Sequence, residues 1–239
     1  MIDTVFYFIM VPMVYLAFAW FIVGAAIKIL GIVRSPAMPH TLRIFPEKET
    51  NSARLAAVWD ALTMPTVRAH RPLLWFFLMV FHIGIALLIL AHLDLIPKLR
   101  ISAADSPHMI GNGAIGVALT VSLLYLLFRR FRTPVREFSV PSDYLLLFLI
   151  FCLFLTGDVI SWGNSWSPDG FVITKQDLGA YLSSLIRFTF EDPRKVLSGS
   201  HYPVVAMHVL LANVFLIILP FSKIMHSFFA IPLNILRRV

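Results

Sequence analysis

Long apolar runs dominate this chain and leave few folds open to it. Five stretches have the length and apolarity to cross a bilayer: residues 5–30, 73–95, 110–128, 144–162 and 202–225. A hydrocarbon layer about 30 Å thick takes roughly 20 apolar residues per helix. Because lipid tolerates only internally closed backbone hydrogen bonding, all five are predicted to be helices. With 59% hydrophobic and 14% charged residues, the chain is expected to be all-α, one polytopic membrane domain over residues 1–239.

The distribution of cations predicts the orientation of these spans. Fourteen of the twenty lysines and arginines fall on one side, mostly in the connections at residues 31–72 and 129–143. Excess Lys and Arg marks the cytoplasmic side, so the N-terminus is expected outside and the C-terminus in the cytoplasm. The formal charge of +7 is therefore interpreted as a topology signal rather than as a sign of nucleic-acid binding.

Two connections are long enough to contain helices of their own. In residues 51–65, NSARLAAVWDALTMP, the side chains Leu55, Val58, Trp59 and Leu62 share one helical face. This helix either lies against the membrane or forms a docking surface for a soluble partner, and both interpretations stay open. Residues 176–190, QDLGAYLSSLIRFTF, predict an amphipathic helix on the outer surface.

Four histidines lie in or beside two of the apolar runs, where ionisable side chains are costly and tend to mark function. The second span runs outward, so His82 is deep and His92 near the outer end; the fifth runs inward from His208 to His226. One pair is therefore expected in each leaflet. Two facing neutral imidazoles suit the axial positions of a low-spin haem iron. Structural histidines and a proton path are the alternatives that spacing leaves open.

The spacing supports this pairing in part. His208 and His226 lie five helical turns and about 27 Å apart on one face. His82 and His92 are about 15 Å apart along the helix and some 80° away from a common face. The inner pair therefore requires helix tilt, or a bend where Pro220 interrupts the last turns.

Two segments resemble a known family. FHIGIALLILAH, ending at His92, and MHVLLANVFLIILPFSKIMH, ending at His226, look like the haem-ligand helices of the nitrate reductase gamma-subunit family of dihaem cytochromes b. The PFSK-x-x-H motif, the VPSDY motif before the fourth span and the long basic first connection are more similar to membrane subunits that partner heterodisulfide reductase-type iron–sulfur proteins. Those subunits belong to Dsr, Hme and Tmc complexes and to methanogen heterodisulfide reductase. The resemblance covers nearly the whole chain.

The resemblance implies two b-type haems, the inner held by His82 and His226 and the outer by His92 and His208. It also implies a quinone substrate, menaquinone or a similar carrier. The family has a Gly before the second ligand and a quinol-binding Lys near the third span. This chain has Ala91 at the first position and no clear counterpart of the Lys.

Polar residues at the depth of the outer haem are candidates for a quinone site. His108 and Asp158 are the leading candidates to hydrogen-bond the ring and accept its proton, and Asn112 and Tyr181 are weaker ones. Interface residues that only bond backbone are the alternative. Haem propionates need cations, and the candidates at the inner interface are Arg68, Arg71, Arg129 and Arg130.

The expected function is that of a membrane cytochrome b subunit in a prokaryotic cytoplasmic membrane. It would transfer electrons between a quinone and a cytoplasmic heterodisulfide reductase-like iron–sulfur subunit in anaerobic respiration. One alternative keeps the two haems but exchanges electrons with an extracytoplasmic multihaem cytochrome. Two others are haem-free, a proton-conducting transporter and a structural membrane anchor.

Overall fold

The fold is helical throughout the part of the chain that the structure describes. A computed structural model describes residues 2–34, 51–96, 99, 113–166, 173–197, 199 and 201–238. In these ranges there is no β-strand. The helices are α1 (Ile2–Met10), α2 (Pro12–Val33), α3 (Asn51–Thr63), α4 (Pro65–His70), α5 (Pro72–Asp94), α6 (Ala114–Arg130), α7 (Pro141–Trp166), α8 (Lys175–Ile186), α9 (Tyr202–Ile218) and α10 (His226–Arg238).

Four helical segments are long and apolar enough to cross a membrane. They are Ile2–Val33, Pro72–Asp94, Pro141–Trp162 and Tyr202–Phe221. They make the chain a multi-pass membrane protein and confirm four of the predicted spans, with the first longer at both ends. The fifth predicted span, residues 110–128, is described only from Gly113 onward, where α6 runs for 17 residues. Five spans and the orientation of the termini therefore stay predictions.

The bundle follows a simple packing order. α5 packs on α6, α6 on α7, α7 on α9, and α9 on α1 and α2. Two close approaches depend on glycine: a Cβ at Gly84 of α5 would stand 2.8 Å from Leu119 of α6, and one at Gly24 of α2 would stand 2.8 Å from Pro220. Both distances are below any normal carbon contact, so larger side chains would push these elements apart.

Helix α8 covers one end of the bundle and confirms the helix predicted in the outer connection. Its first turn has a capping box between Thr174 and Asp177. The Tyr181 hydroxyl donates a 2.6 Å hydrogen bond to the carbonyl of Met10, which fixes α8 to α1. The helix ends at Ile186, earlier than the predicted 190, because the chain then turns through left-handed residues Phe188 and Phe190.

At the opposite end, α3 and α10 pack against each other. The Asn234 side chain donates a 2.6 Å hydrogen bond to the Ala57 carbonyl. Helix α3 confirms the prediction made for residues 51–65. Its Leu55 and Trp59 side chains remain 71% and 67% exposed, so the predicted apolar face does not pack into the bundle.

Candidate functional site

The outer pair, His92 and His208, joins α5 to α9. The ring centroids are 6.5 Å apart and the ring planes differ by 13°. His92 Nδ1 lies 2.8 Å from the Leu88 carbonyl, which can only accept, so this nitrogen carries the proton. His208 Nδ1 lies 3.0 Å from the Thr156 hydroxyl oxygen. Because that hydroxyl already donates to backbone carbonyls one turn earlier, it accepts from His208 Nδ1.

The inner pair, His82 and His226, joins α5 to the start of α10. The ring centroids are 6.2 Å apart and the planes differ by 75°. His82 Nδ1 lies 2.7 Å from the Leu78 carbonyl, and His226 Nδ1 lies 2.7 Å from the Lys223 carbonyl. Each Nδ1 therefore donates, and each ring has the Nε2 atom as its unprotonated nitrogen.

These hydrogen bonds give all four rings the same tautomer, with the proton on Nδ1. A metal-binding imidazole usually donates its second N–H to a carbonyl or similar acceptor, which fixes the tautomer and the ring orientation. Two metal–nitrogen bonds of about 2 Å, with roughly 1 Å more from each nitrogen to its ring centre, sum to about 6 Å between centroids. The separations of 6.2 and 6.5 Å fit two imidazoles on opposite sides of one metal atom. The donor sets therefore fit haem iron.

A break in the last span places His226. Helix α9 ends at Ile218, and two 3-10 turns, Leu219–Phe221 and Lys223–Met225, separate it from α10. Pro220 cannot donate a helical hydrogen bond, and Ser222 between the turns is extended. Of the two alternatives, helix tilt or a bend at Pro220, the structure shows the break at Pro220.

An ion-pair network supports this broken segment. The buried carboxylate of Asp143, 5% exposed, lies 3.0 Å from the Arg130 guanidinium and 2.8 Å from the Lys223 ammonium. Lys223 is the residue whose carbonyl orients His226. The network therefore joins the VPSDY and PFSK-x-x-H motifs, which sequence reasoning treated separately.

The outer pair has a different set of neighbours. On α7, Gly157 allows His208 to approach closely, since a Cβ there would stand 3.3 Å from its Cε1 atom. At the end of α5, the Asp94 carboxylate is 2% exposed and lies 2.5 Å from the Lys175 ammonium of α8. Asp94 comes two residues after His92, so this buried pair fixes α8 beside the outer pair. Neither Thr156 nor Asp94 was singled out from the sequence.

Of the four candidate residues for the quinone site, the structure describes only Asp158 and Tyr181. Asp158 is buried, 6% exposed, and accepts a 2.8 Å hydrogen bond from Thr120 of α6. It follows Thr156 by two residues, about 200° around α7, so it faces α6 while Thr156 faces His208. His108 and Asn112 lie outside the described residues. Tyr181 is engaged with the backbone of α1, and burial raises its pKa well above the usual value.

The arginines proposed for haem propionates are in three settings. The Arg68 guanidinium lies over the Trp75 ring, 5.9 Å from its centroid. Arg130 is bound to the carboxylate of the ion-pair network. Arg71 and Arg129 line a cavity of about 340 Å³ between α5 and α6. Their role toward propionates stays a prediction.

Known proteins resemble the chain in this same region. The family model for the nitrate reductase gamma subunit matches residues 65–239, which include all four histidines. An Hdr-like menaquinol oxidoreductase cytochrome b-like subunit of Archaeoglobus fulgidus is 29% identical over 167 residues, 64% of this chain and 47% of that protein. Its namesake in Archaeoglobus profundus is 27% identical over 169 residues, 64% of this chain and 46% of that protein.

A bacterial relative is similar over more of its length. The nitrate reductase gamma chain of Bacillus subtilis is 30% identical over 169 residues, 66% of this chain and 73% of that protein. The chain spans about half the length of the two archaeal relatives. The family match covers well over half of the sequence and confirms the resemblance drawn from the histidine helices. The chain belongs to the nitrate reductase gamma subunit family.

Proposed function

We propose that this chain is a membrane dihaem cytochrome b subunit that transfers electrons between menaquinol, or a similar quinol, and a cytoplasmic heterodisulfide reductase-like iron–sulfur subunit. A membrane electron-transfer role is supported by relatives named as cytochrome b-like subunits of menaquinol oxidoreductases and as a nitrate reductase gamma chain. The two haems, the substrate and the partner are our proposal for this chain.

One observation carries the proposal: the same helix, α5, contributes a ring to each of two imidazole pairs with the spacing of axial ligands. Along α5 the two pairs are about 15 Å apart. His92 and His208 would hold one haem, and His82 and His226 the other. Bound haem would supply reversible one-electron chemistry, at a potential tuned by the protein around it.

The residues of the chain contribute the orientation of the rings. The four Nδ1 hydrogen bonds fix the tautomer of each ring, leave Nε2 as the atom available to a metal and make each imidazole a better ligand. The Thr156 hydroxyl accepts the Nδ1 hydrogen bond of His208. The Lys223 carbonyl accepts the Nδ1 hydrogen bond of His226. The Asp143 carboxylate fixes the position of Lys223.

Asp158 is our candidate to accept the proton released by quinol oxidation. Its carboxylate is buried between α6 and α7, and Thr120 orients one of its oxygens. A general base needs this kind of fixed position within reach of the proton it accepts. His108 is the second candidate, from the sequence alone.

Quinol-driven reduction of the purified protein tests this function. With a water-soluble menaquinol analogue, we expect haem reduction in the native protein and a rate lowered by about a hundredfold in Asp158→Asn, because general-base catalysis contributes roughly that much. Asp3→Asn is the matched control, because Asp3 is 68% exposed and undergoes the same chemical change. Unchanged quinol-driven reduction in Asp158→Asn would refute this residue assignment, and no reduction in the haem-loaded native protein would refute quinol as substrate.

A further inference from the structure

A cavity lies between α5 and α6, and its lining includes none of the four paired histidines. It has a volume of about 340 Å³ and lies between the start of α5, the end of α6 and the turn that follows α6. Three arginines line it: Arg71, Arg129 and Arg132. We refer to these three side chains and the cavity as the arginine pocket.

The arginine pocket concentrates positive charge without a matching carboxylate. In the part of the chain that the structure describes, its lining includes no Asp or Glu, and none of the three arginines forms an ion pair. The neighbouring Arg130 differs, because it is bound to Asp143. Like charges held together repel one another, and a bound anion removes that penalty. The pocket is therefore complementary to an anion.

The other walls of the pocket are apolar. Leu73, Leu74, Tyr125 and Val135 form them, and the Tyr125 ring stacks on Phe77 with centroids 4.1 Å apart. Leu73 is 60% exposed on the outside of the bundle, where lipid would contact it. The pocket thus offers guanidinium groups beside a surface that suits hydrocarbon, at the start of α5 and the end of α6.

The pocket lies on the opposite side of α5 from the inner histidine pair. Gly84 and Phe77 mark the α5 face that packs on α6, through close approach and through the stack on Tyr125. His82 is two residues from Gly84 and five from Phe77, which is about 200° and 140° around the helix. The ring of His82 faces His226 instead. An anion in the pocket is therefore separated by α5 from the proposed haem site.

We propose that the arginine pocket binds a phosphate group. Guanidinium groups match phosphate oxygens in bidentate hydrogen bonds, and three of them can neutralise a phosphate monoester or diester. The group can come from the headgroup of an anionic phospholipid, whose acyl chain would follow Leu73, or from a soluble phosphate. Both sources share the same chemistry at the arginines.

Binding of defined probes to the purified, delipidated protein tests the proposal. The probes are dioctanoyl phosphatidylglycerol, dioctanoyl phosphatidylcholine and inorganic phosphate, with retention measured by native mass spectrometry and competition. The double variant Arg129→Gln/Arg132→Gln should weaken phosphatidylglycerol binding by about tenfold or more, because two charge-assisted contacts are lost. Arg136→Gln is the matched control, since Arg136 is exposed and outside the pocket lining. Arg132→Gln alone, at the exposed end, provides a milder variant if the double variant is unstable.

The outcomes distinguish a lipid headgroup from soluble phosphate as the source of the phosphate group. Phosphatidylglycerol binding that inorganic phosphate does not displace assigns the site to a lipid headgroup, and displacement by inorganic phosphate assigns it to soluble phosphate. Equal binding by the variants and the native protein, or no binding of any phosphate probe, would overturn the proposal. A shift in haem potential in Arg129→Gln/Arg132→Gln with unchanged phosphate binding would also overturn it and would assign the arginines to propionates.

Discussion

The outer and inner histidine pairs have the same ligand chemistry but are held by different means. In the outer pair both rings project from uninterrupted helices, α5 and α9, and stand nearly parallel at 13°. In the inner pair His226 follows two 3-10 turns, and the rings cross at 75°. Two continuous helices position the outer pair, whereas the inner pair depends on a helix break fixed by a polar network.

The polar contacts follow the same division. His208 of the outer pair is oriented by a hydroxyl on an adjacent helix, Thr156. His226 of the inner pair is oriented by the backbone of Lys223, whose side chain is bound to Asp143. Since the two sets of residues do not overlap, damage to one set should leave the other pair intact.

Removing one ligand should have the largest effect and should be confined to one pair. His208→Ala and His226→Ala are each expected to lower haem from about two to about one per chain, because a low-spin iron with one axial ligand lost is held weakly. His70→Ala is the control, as its Nδ1 also lies 2.9 Å from a backbone carbonyl while the ring is on α4, outside both pairs. Haem per chain is measured against protein by the pyridine haemochrome assay. Loss of both haems in one variant would contradict independent pairs.

Asp143→Asn should selectively weaken the inner site. The change removes the charge that holds Lys223, so the carbonyl that orients His226 is less well fixed. Loss of such an outer contact typically lowers metal affinity by about 10–100-fold. Haem retention during dialysis, followed by redox titration of each haem, measures the effect. Ser139→Ala is the control, since it removes a 3.2 Å contact to Arg130 and a 2.8 Å hydrogen bond to the Val135 carbonyl but keeps the Asp143–Lys223 ion pair. Equal loss of both haems would show that the carboxylate acts on the whole fold.

Thr156→Val should produce a smaller effect at the outer site. Valine keeps the shape of threonine but cannot accept from His208 Nδ1. We expect a change in the outer haem potential and about tenfold weaker retention of that haem, the lower end of the range for such contacts. Thr156→Ser keeps the hydroxyl and should restore native behaviour. A potential shift at the inner haem alone would reverse the assignment of the pairs.

Gly84→Ala should affect both pairs equally and weakly. Gly84 lies between His82 and His92 on α5, and a Cβ there would stand 2.8 Å from a Leu119 methyl group. Overpacking of this kind lowers stability by about 1–3 kcal/mol. Thermal unfolding in detergent measures the loss. Gly31→Ala is the control, because among the described residues no atom beyond the local helix backbone lies within 4 Å of a Cβ built there. Selective loss of one haem would show that α5 does not position the pairs jointly.

Much of the bundle could be predicted from the sequence, because a membrane helix is recognisable from its own run of apolar residues. Apolar runs predicted the four spans that the structure supports, and histidine spacing predicted the facing pairs together with the bend at Pro220. These signals depend on residues within one helix, or on two helices whose directions the order of the spans predicts. The fifth span, the orientation and His108 stay predictions.

The supporting contacts could not be predicted, because each joins segments far apart in the chain. Asp143 and Lys223 are 80 residues apart, and Thr156 and His208 are 52 apart. A threonine in an apolar run or an aspartate at a span entrance has many possible partners, so only the fold selects one. Helix α10 is not predicted, because the last apolar run ends at residue 225, just before the first residue of the helix, His226.

The central claim is that four imidazoles hold two haems. A reduced-minus-oxidised visible spectrum of the purified native protein, paired with a pyridine haemochrome assay, tests it most directly. We expect b-type absorption and about two haems per chain, one for each imidazole pair. Intact, helical protein that contains no haem after expression with adequate haem supply would contradict it, and the paired histidines would then need another role.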